Sequence, residues 1–255
     1  MRNFVVPAIL SILLLTACER IYMQPVPEAD RTASQLFARA AAGDASAQLR
    51  AGLETCDTRL GVYDPDPSTA LGWWKKASKS RDRFIANQAH QELAEYYLAE
   101  YPYDSYPVKE GEPTRPPGTY KKVAKCRGER PVKPDYALAE YHFKQCAGDD
   151  AQSDFGGPTA SMCRHGLGHL YYLKKNYAEA FFWYLTVTAP TNIVDHPEFN
   201  KWLDSVKDYR ELGFKGSRDN DYTRFAAERL SAKERAAVLK RVKAHVGREM
   251  QKRAL

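Results

Sequence analysis

The sequence predicts an all-α chain, an array of stacked helical hairpins closed at its C-terminal end by a capping helix. Three observations carry that reading. One helix template recurs three times: an alanine, a ring pair at +3 and +4, and a small or apolar residue at +7. A second template alternates with it, with small or apolar residues at +4 and +5. Beyond both, a long segment opens with a capping box and carries one apolar stripe. Helical hairpins of this kind cannot bury their apolar faces alone, so consecutive units must stack.

The chain opens with "MRNFVVPAILSILLLTAC", one basic residue followed by an apolar run from Phe4 to Leu15. That run is short for a membrane span and ends in small residues, which reads as a secretory signal over residues 1–17. Leu15-Thr16-Ala17-Cys18 resembles the lipobox of bacterial lipoproteins. The resemblance implies that the Cys18 thiol receives a diacylglycerol and becomes the new N-terminus. Several acyl chains on one residue exceed what stable anchoring requires. Glu19 follows Cys18, whereas an aspartate there would resemble an inner-membrane retention signal. The expected location is the outer membrane, lipid-anchored and facing the periplasm. Residues 18–32 contain prolines and little apolar material, as a tether to the folded part would.

The hairpins follow over residues 33–190. In the first helix type, Ala47 precedes Ala51-Gly52, Ala89 precedes Leu93-Ala94 and Cys163 precedes Leu167-Gly168; Tyr97 and Tyr171 stand at +8 of the last two. In the second, Ala70 precedes Trp73-Trp74 and Ala77, Ala139 precedes His142-Phe143 and Cys146, and Ala180 precedes Trp183-Tyr184 and Val187. Each spacing is the apolar stripe of a helix, and its small residues permit close approach of a neighbour.

This alternation of "AxxxLGxxY" and "AxxWYxxA" patterns resembles the Sel1-like repeat family, relatives of tetratricopeptide repeats. The resemblance implies a right-handed solenoid whose concave face, lined by the first helix of each hairpin, receives a protein or peptide. On this chain that face would draw on exposed residues at Gln48, Arg50, Gln91, Glu95, Arg164 and His165. The sequence departs from the family pattern twice. "DTRLGVYDPDP" replaces the short turn of the first hairpin, and an insertion over residues 102–134 separates the helices of the second.

Residues 191–255 form the expected C-terminal helical cap. "HPEFNKWLDSVKDYRELG" reads as a helix with Phe199, Leu203 and Val206 inward. The last helix starts at a capping box, Ser231 and Glu234, and its stripe is Leu239, Val242, Val246 and Met250. From Lys233 to Arg253 it carries eight basic residues against two acidic, a large part of the net charge of +6. A solvated face accounts for that charge, and contact with anionic lipid or an acidic partner is the alternative.

With Cys18 acylated, Cys56, Cys126, Cys146 and Cys163 remain, and an even count in an exported chain argues for two disulfides. Their connectivity does not follow from the sequence alone. In cysteine-rich Sel1-like proteins a helix-end cysteine pairs with one opening the next helix. That resemblance implies Cys146 with Cys163, leaving Cys56 for Cys126.

The insertion contains seven prolines and interleaves Tyr103, Tyr106 and Tyr120 with Lys121, Lys122, Lys125 and Arg127. An aromatic and basic loop of this length suits a binding surface, and a solvated loop pinned by Cys126 is the plainer alternative.

Cys163, His165 and His169 lie within seven residues, with the histidines four apart on one helix face, as a zinc site requires. A disulfide at Cys163 would remove the thiolate, no HExxH motif is present, and no carboxylate stands four residues from either histidine. We therefore expect packing or surface histidines, with no metal and no cofactor. GxSxG, SxxK with KTG, and phosphate-cradling glycine loops are all missing from the sequence. Export makes nucleic acid an unfitting partner.

The expectation is a non-catalytic lipoprotein that binds a protein partner, either an envelope protein or a secreted effector. Its two forms are an adaptor in an envelope assembly and an immunity protein neutralising an antibacterial effector. The Sel1-like resemblance also leaves open a weak periplasmic hydrolase or a cell-wall-binding protein.

Overall fold

A computed structural model of the chain describes residues 33–57, 66–99, 117, 126, 133–148, 158–188 and 218–253. Among them lie nine helices and no strand. They are α1 (Ala33–Ala41), α2 (Ala45–Asp57), α3 (Pro67–Ala77), α4 (Arg83–Leu98), α5 (Tyr136–Ala147), α6 (Pro158–Leu173), α7 (Tyr177–Thr188), α8 (Arg218–Ala227) and α9 (Ala232–Arg253). The expected signal segment, the expected tether and the helix expected around Phe199 lie outside the described residues.

Helices α1 to α8 pack chiefly on their neighbours in sequence, α2 with α3, α4 with α5 and α6 with α7. The starts are set by short carboxylates. Asp66, Asp82 and Asp135 each accept two backbone amides of the first turn of α3, α4 and α5, satisfying donors that have no partner within the helix. The tight turn before α7 places Lys175 at φ 59°, a left-handed end to α6.

The ring pairs go inward at their second member. Trp74, Phe143 and Tyr184 are almost fully buried, while Trp73 and Trp183 are half-buried. Their sockets are glycines. A Cβ added to Gly52 would overlap the Trp74 indole, one at Gly168 the Tyr184 ring, and one at Gly166 the Phe143 ring. In the second hairpin Ala94 holds the place that Gly52 and Gly168 hold in the others.

The core is continuous through α4. On one side Ala89 and Leu93 pack with Leu49, Cys56 and Trp74. On the other, Ala94 and Leu98 join the largest cluster, which runs through Phe143, Leu167 and Leu185 to Val242. At the C-terminal end α8 and α9 both pack on α7. The capping box of α9 forms as expected: Ser231 N donates to Glu234 at 2.8 Å, and Glu234 N donates to the Ser231 hydroxyl at 3.3 Å. The stripe sits slightly off the expected one. Val238 and Val242 are the buried pair, and Leu239 and Val246 flank them.

Candidate functional site

The Cys163–His165–His169 cluster resolves into structure. Cys163 is joined to Cys146 by a disulfide with Cα atoms 5.9 Å apart, so its sulfur is spent. His165 and His169 lie on the inner face of α6, 1% and 0% exposed. The His165 ring stands 5.4 Å from Tyr184 and 5.1 Å from Tyr222, and His169 stands 6.0 Å from Tyr222. They fill ring positions between α7 and α8. Burial, and then the neighbouring His165, holds the His169 imidazole down to about 3, far below its usual range. Among the described residues no group of three histidine, cysteine or carboxylate side chains is placed to hold a metal ion.

The second disulfide joins Cys56 to Cys126 with Cα atoms 4.5 Å apart, fastening the insertion to the end of α2. The first pairing is the one implied by the Sel1-like resemblance, and the second is the one left by elimination. Tyr103, Tyr106, Tyr120, Lys121 and Lys122 lie outside the described residues, as does Cys18. Two described points of the insertion, Pro117 and Cys126, are buried, so part of it packs on the array.

The expected exposed face on the first helices requires correction. Gln48, Gln91, Glu95, Arg164 and His165 are buried, and Arg50 is half-buried. The cause is direct packing of consecutive first helices, α2 on α4 and α4 on α6. Their polar side chains became internal ties. Gln48 Nε2 donates to the Ala40 carbonyl at 3.1 Å. Gln91 Nε2 donates to Glu95 at 2.8 Å and lies 3.6 Å from the Met162 sulfur of α6. Arg164 Nε donates to the Ala147 carbonyl at 3.2 Å, beside the Cys146–Cys163 bridge.

Two features of the α4–α5 hairpin escaped the sequence reading. The first is a histidine pair. His90 and His142 approach to 2.9 Å between their Nδ1 atoms. His142 also stacks on Tyr97, 5.8 Å between centroids and 5° between planes. The second is an exposed apolar edge on α5, where Leu138 is 39% and Tyr141 54% exposed. The spacing of three between these two was available as a signal, since neither falls on a template position.

Glu140 on the same helix is a hub. It accepts from Lys144 at 2.6 Å, Lys174 at 2.7 Å and the Tyr171 hydroxyl at 2.7 Å. Burial pushes its carboxyl up, but these three donors outweigh burial and hold it at about 2. The hub ties α5 to the end of α6, and all its partners are accounted for by that role.

Of the six basic side chains described on α9, Arg235 and Arg241 are engaged within the fold. Arg241 bridges to Glu179 of α7 at 2.8 Å and covers the Phe182 ring at 4.8 Å. Arg235 donates to the Ala227 carbonyl at the end of α8, at 3.3 Å. Lys233, Lys240, Lys243 and Arg248 are exposed.

Compared with family models, curated proteins and solved structures, the chain finds no match.

Proposed function

We propose that this chain is a non-catalytic, lipid-anchored scaffold or adaptor facing the periplasm, a right-handed solenoid of Sel1-like hairpins that binds a protein partner. Its two forms are an adaptor in an envelope assembly and an immunity protein that neutralises a secreted antibacterial effector. The observation that carries the scaffold reading is the repeated hairpin packing, a buried ring seated on a glycine at Trp74–Gly52 and again at Tyr184–Gly168. Arrays built this way present long surfaces, and their stacking supplies rigidity without a pocket. The lipobox residues Leu15 to Cys18 support the anchor.

Burial of the first-helix polar residues moves the binding surface away from them. The remaining sequence-marked candidate is the aromatic and basic insertion, held to α2 by Cys56–Cys126. A pull-down from envelope extract with the chain from Glu19 onward tests the reading, followed by affinity measurement on any stoichiometric partner. Replacing Tyr103, Tyr106, Tyr120, Lys121 and Lys122 by serine keeps Pro117 and Cys126. Affinity should fall at least tenfold, about 1.4 kcal/mol. Full-strength binding by that variant would return the role to the helical surface. The absence of any stoichiometric partner would remove the scaffold reading.

A further inference from the structure

The His90–His142 contact joins two helices that the long insertion separates in sequence. Its ring centroids are 5.1 Å apart and the Nδ1 atoms 2.9 Å apart. The centroid distance nearly equals the N···N distance plus the two ring radii, so the rings meet end-on. End-on rings do not aim their lone pairs at a common third point, as chelation of a metal would require. The contact is an N–H···N hydrogen bond. One ring donates from Nδ1 and the other keeps Nδ1 bare.

Such a pair tolerates one added proton and not two. The first adds to the far nitrogen of the donor ring and leaves the shared bond intact, with a cationic donor. The second makes both Nδ1 atoms donors, and two N–H groups then point at each other.

The surroundings resist the second charge. His142 is buried against Tyr97 of α4 and edge-on to Tyr141 of α5. Burial, then His90, then Lys75 from α3, holds its imidazole down to about 4. His90 is half-buried, and burial lowers it as well. On the same two helices Glu140 is engaged by Lys144, Lys174 and Tyr171, and Glu95 by Gln91. From α6, the uncharged Met162 meets Gln91 and the uncharged Tyr171 hydroxyl meets Glu140; α2 meets α4 through Leu49 and Cys56.

We propose that His90 and His142 form an acid-sensitive latch between α4 and α5. It is closed while the pair holds at most one added proton. Double protonation parts the helices at the layer where Tyr97 touches both large core clusters. At the same layer the Asp135 amide donates to the Tyr97 carbonyl at 2.9 Å, a tie between the helices that the parting must also break. Acid therefore loosens the array at its middle before its C-terminal end.

The test uses the full-length protein. Nitrogen-15 spectra of the histidine rings at pH 7.5 should show a scalar coupling across Nδ1–H···Nδ1, and on acidification to pH 5 one ring of the pair should take up a proton while the other resists. Two independent titrations near the ordinary histidine value of about 6.5 would overturn the latch. Hydrogen exchange, corrected for its intrinsic pH dependence, gives the second readout. Between pH 7.5 and pH 4, protection in α4 and α5 should fall at least tenfold relative to α7. His142→Gln should abolish that difference, because an amide can donate to or accept from His90 in either of its states. Loss of protection in α4, α5 and α7 together, or an undiminished difference in H142Q, would refute the proposal. If H142Q does not fold, the wild-type coupling and titration decide.

Discussion

The indole of Trp74 lies over the α-carbon of Gly52 so closely that any side chain there would overlap its Nε1 and Cδ1 atoms. The glycine is therefore a socket, despite its unfavourable propensity inside a helix. Gly52→Ala should destabilise the protein by about 1–3 kcal/mol, since overpacking outweighs the propensity gain. Gly72, on the exposed side of α3, meets nothing within 4 Å of an added Cβ. Gly72→Ala should instead stabilise by about 0.5–1 kcal/mol. Urea unfolding of the two variants reads both signs, and equal signs would discount the socket.

The Cys146–Cys163 bridge closes a separation of 17 residues. Chain-entropy arguments give such a loop about 3 kcal/mol, and the paired Cys146→Ser, Cys163→Ser variant should lose an amount of that order. Arg164 still reaches the Ala147 carbonyl in that variant, so α5 and α6 should stay docked. Adding Arg164→Ala should cost more in the bridge-free protein than in the wild type. Non-reducing peptide mapping checks the pairing itself, and a Cys56–Cys146 peptide would contradict it.

Besides the His90–His142 pair, two groups should make stability fall with acid. His169 is buried, and its folded pKa of about 3 lies below the value of 6.5 it starts from. The unfolded chain then binds its proton first, so the contribution of neutral His169 is complete above about 6.5 and declines towards 3. The slope is about 1.4 kcal/mol per pH unit at most for one group. Glu140 acts at lower pH: held at about 2 against 4.5, it stabilises above 4.5 and loses that contribution as pH falls towards 2. Urea midpoints from pH 8 to pH 4 should drop in the wild type and drop less in His169→Leu. Parallel curves would show that His169 is already protonated in the folded protein.

Cys18→Ser tests the anchor. The variant should appear as a soluble or unprocessed species after fractionation, with no incorporation of labelled acyl chains. Firm retention in the membrane fraction would contradict the lipobox reading.

Much of the helical packing was legible because it depends on local spacing. A ring at +4 from an alanine turns inward in all three places, whether it is Trp74, Phe143 or Tyr184. Capping was equally local, as Ser231–Glu234 shows. What failed depended on how successive hairpins meet. Gln91 and Glu95 are polar and sit on the first helix of a hairpin, which on spacing alone marks an outer face. Their burial is fixed by the approach of α6, visible in the Gln91–Met162 contact. Gly166 was hidden between two histidines that drew attention to metal chemistry, although its role is to admit Phe143. The His90–His142 contact spans 52 residues and no local pattern contains it.

Helix α4 belongs to the cores on both of its sides, through Leu93 in one and Leu98 in the other. The unit that recurs in the sequence is thus not the unit that can stand alone. A fragment beginning at Tyr136 would hold complete copies of every later motif, yet it would bare the surface that Ala94 and Leu98 cover. A fragment ending at Ala77 would leave Trp74 without Ala89 and Leu93. Shuffling these hairpins as interchangeable modules therefore means carrying α4 with either half, so that one helix is duplicated at every cut.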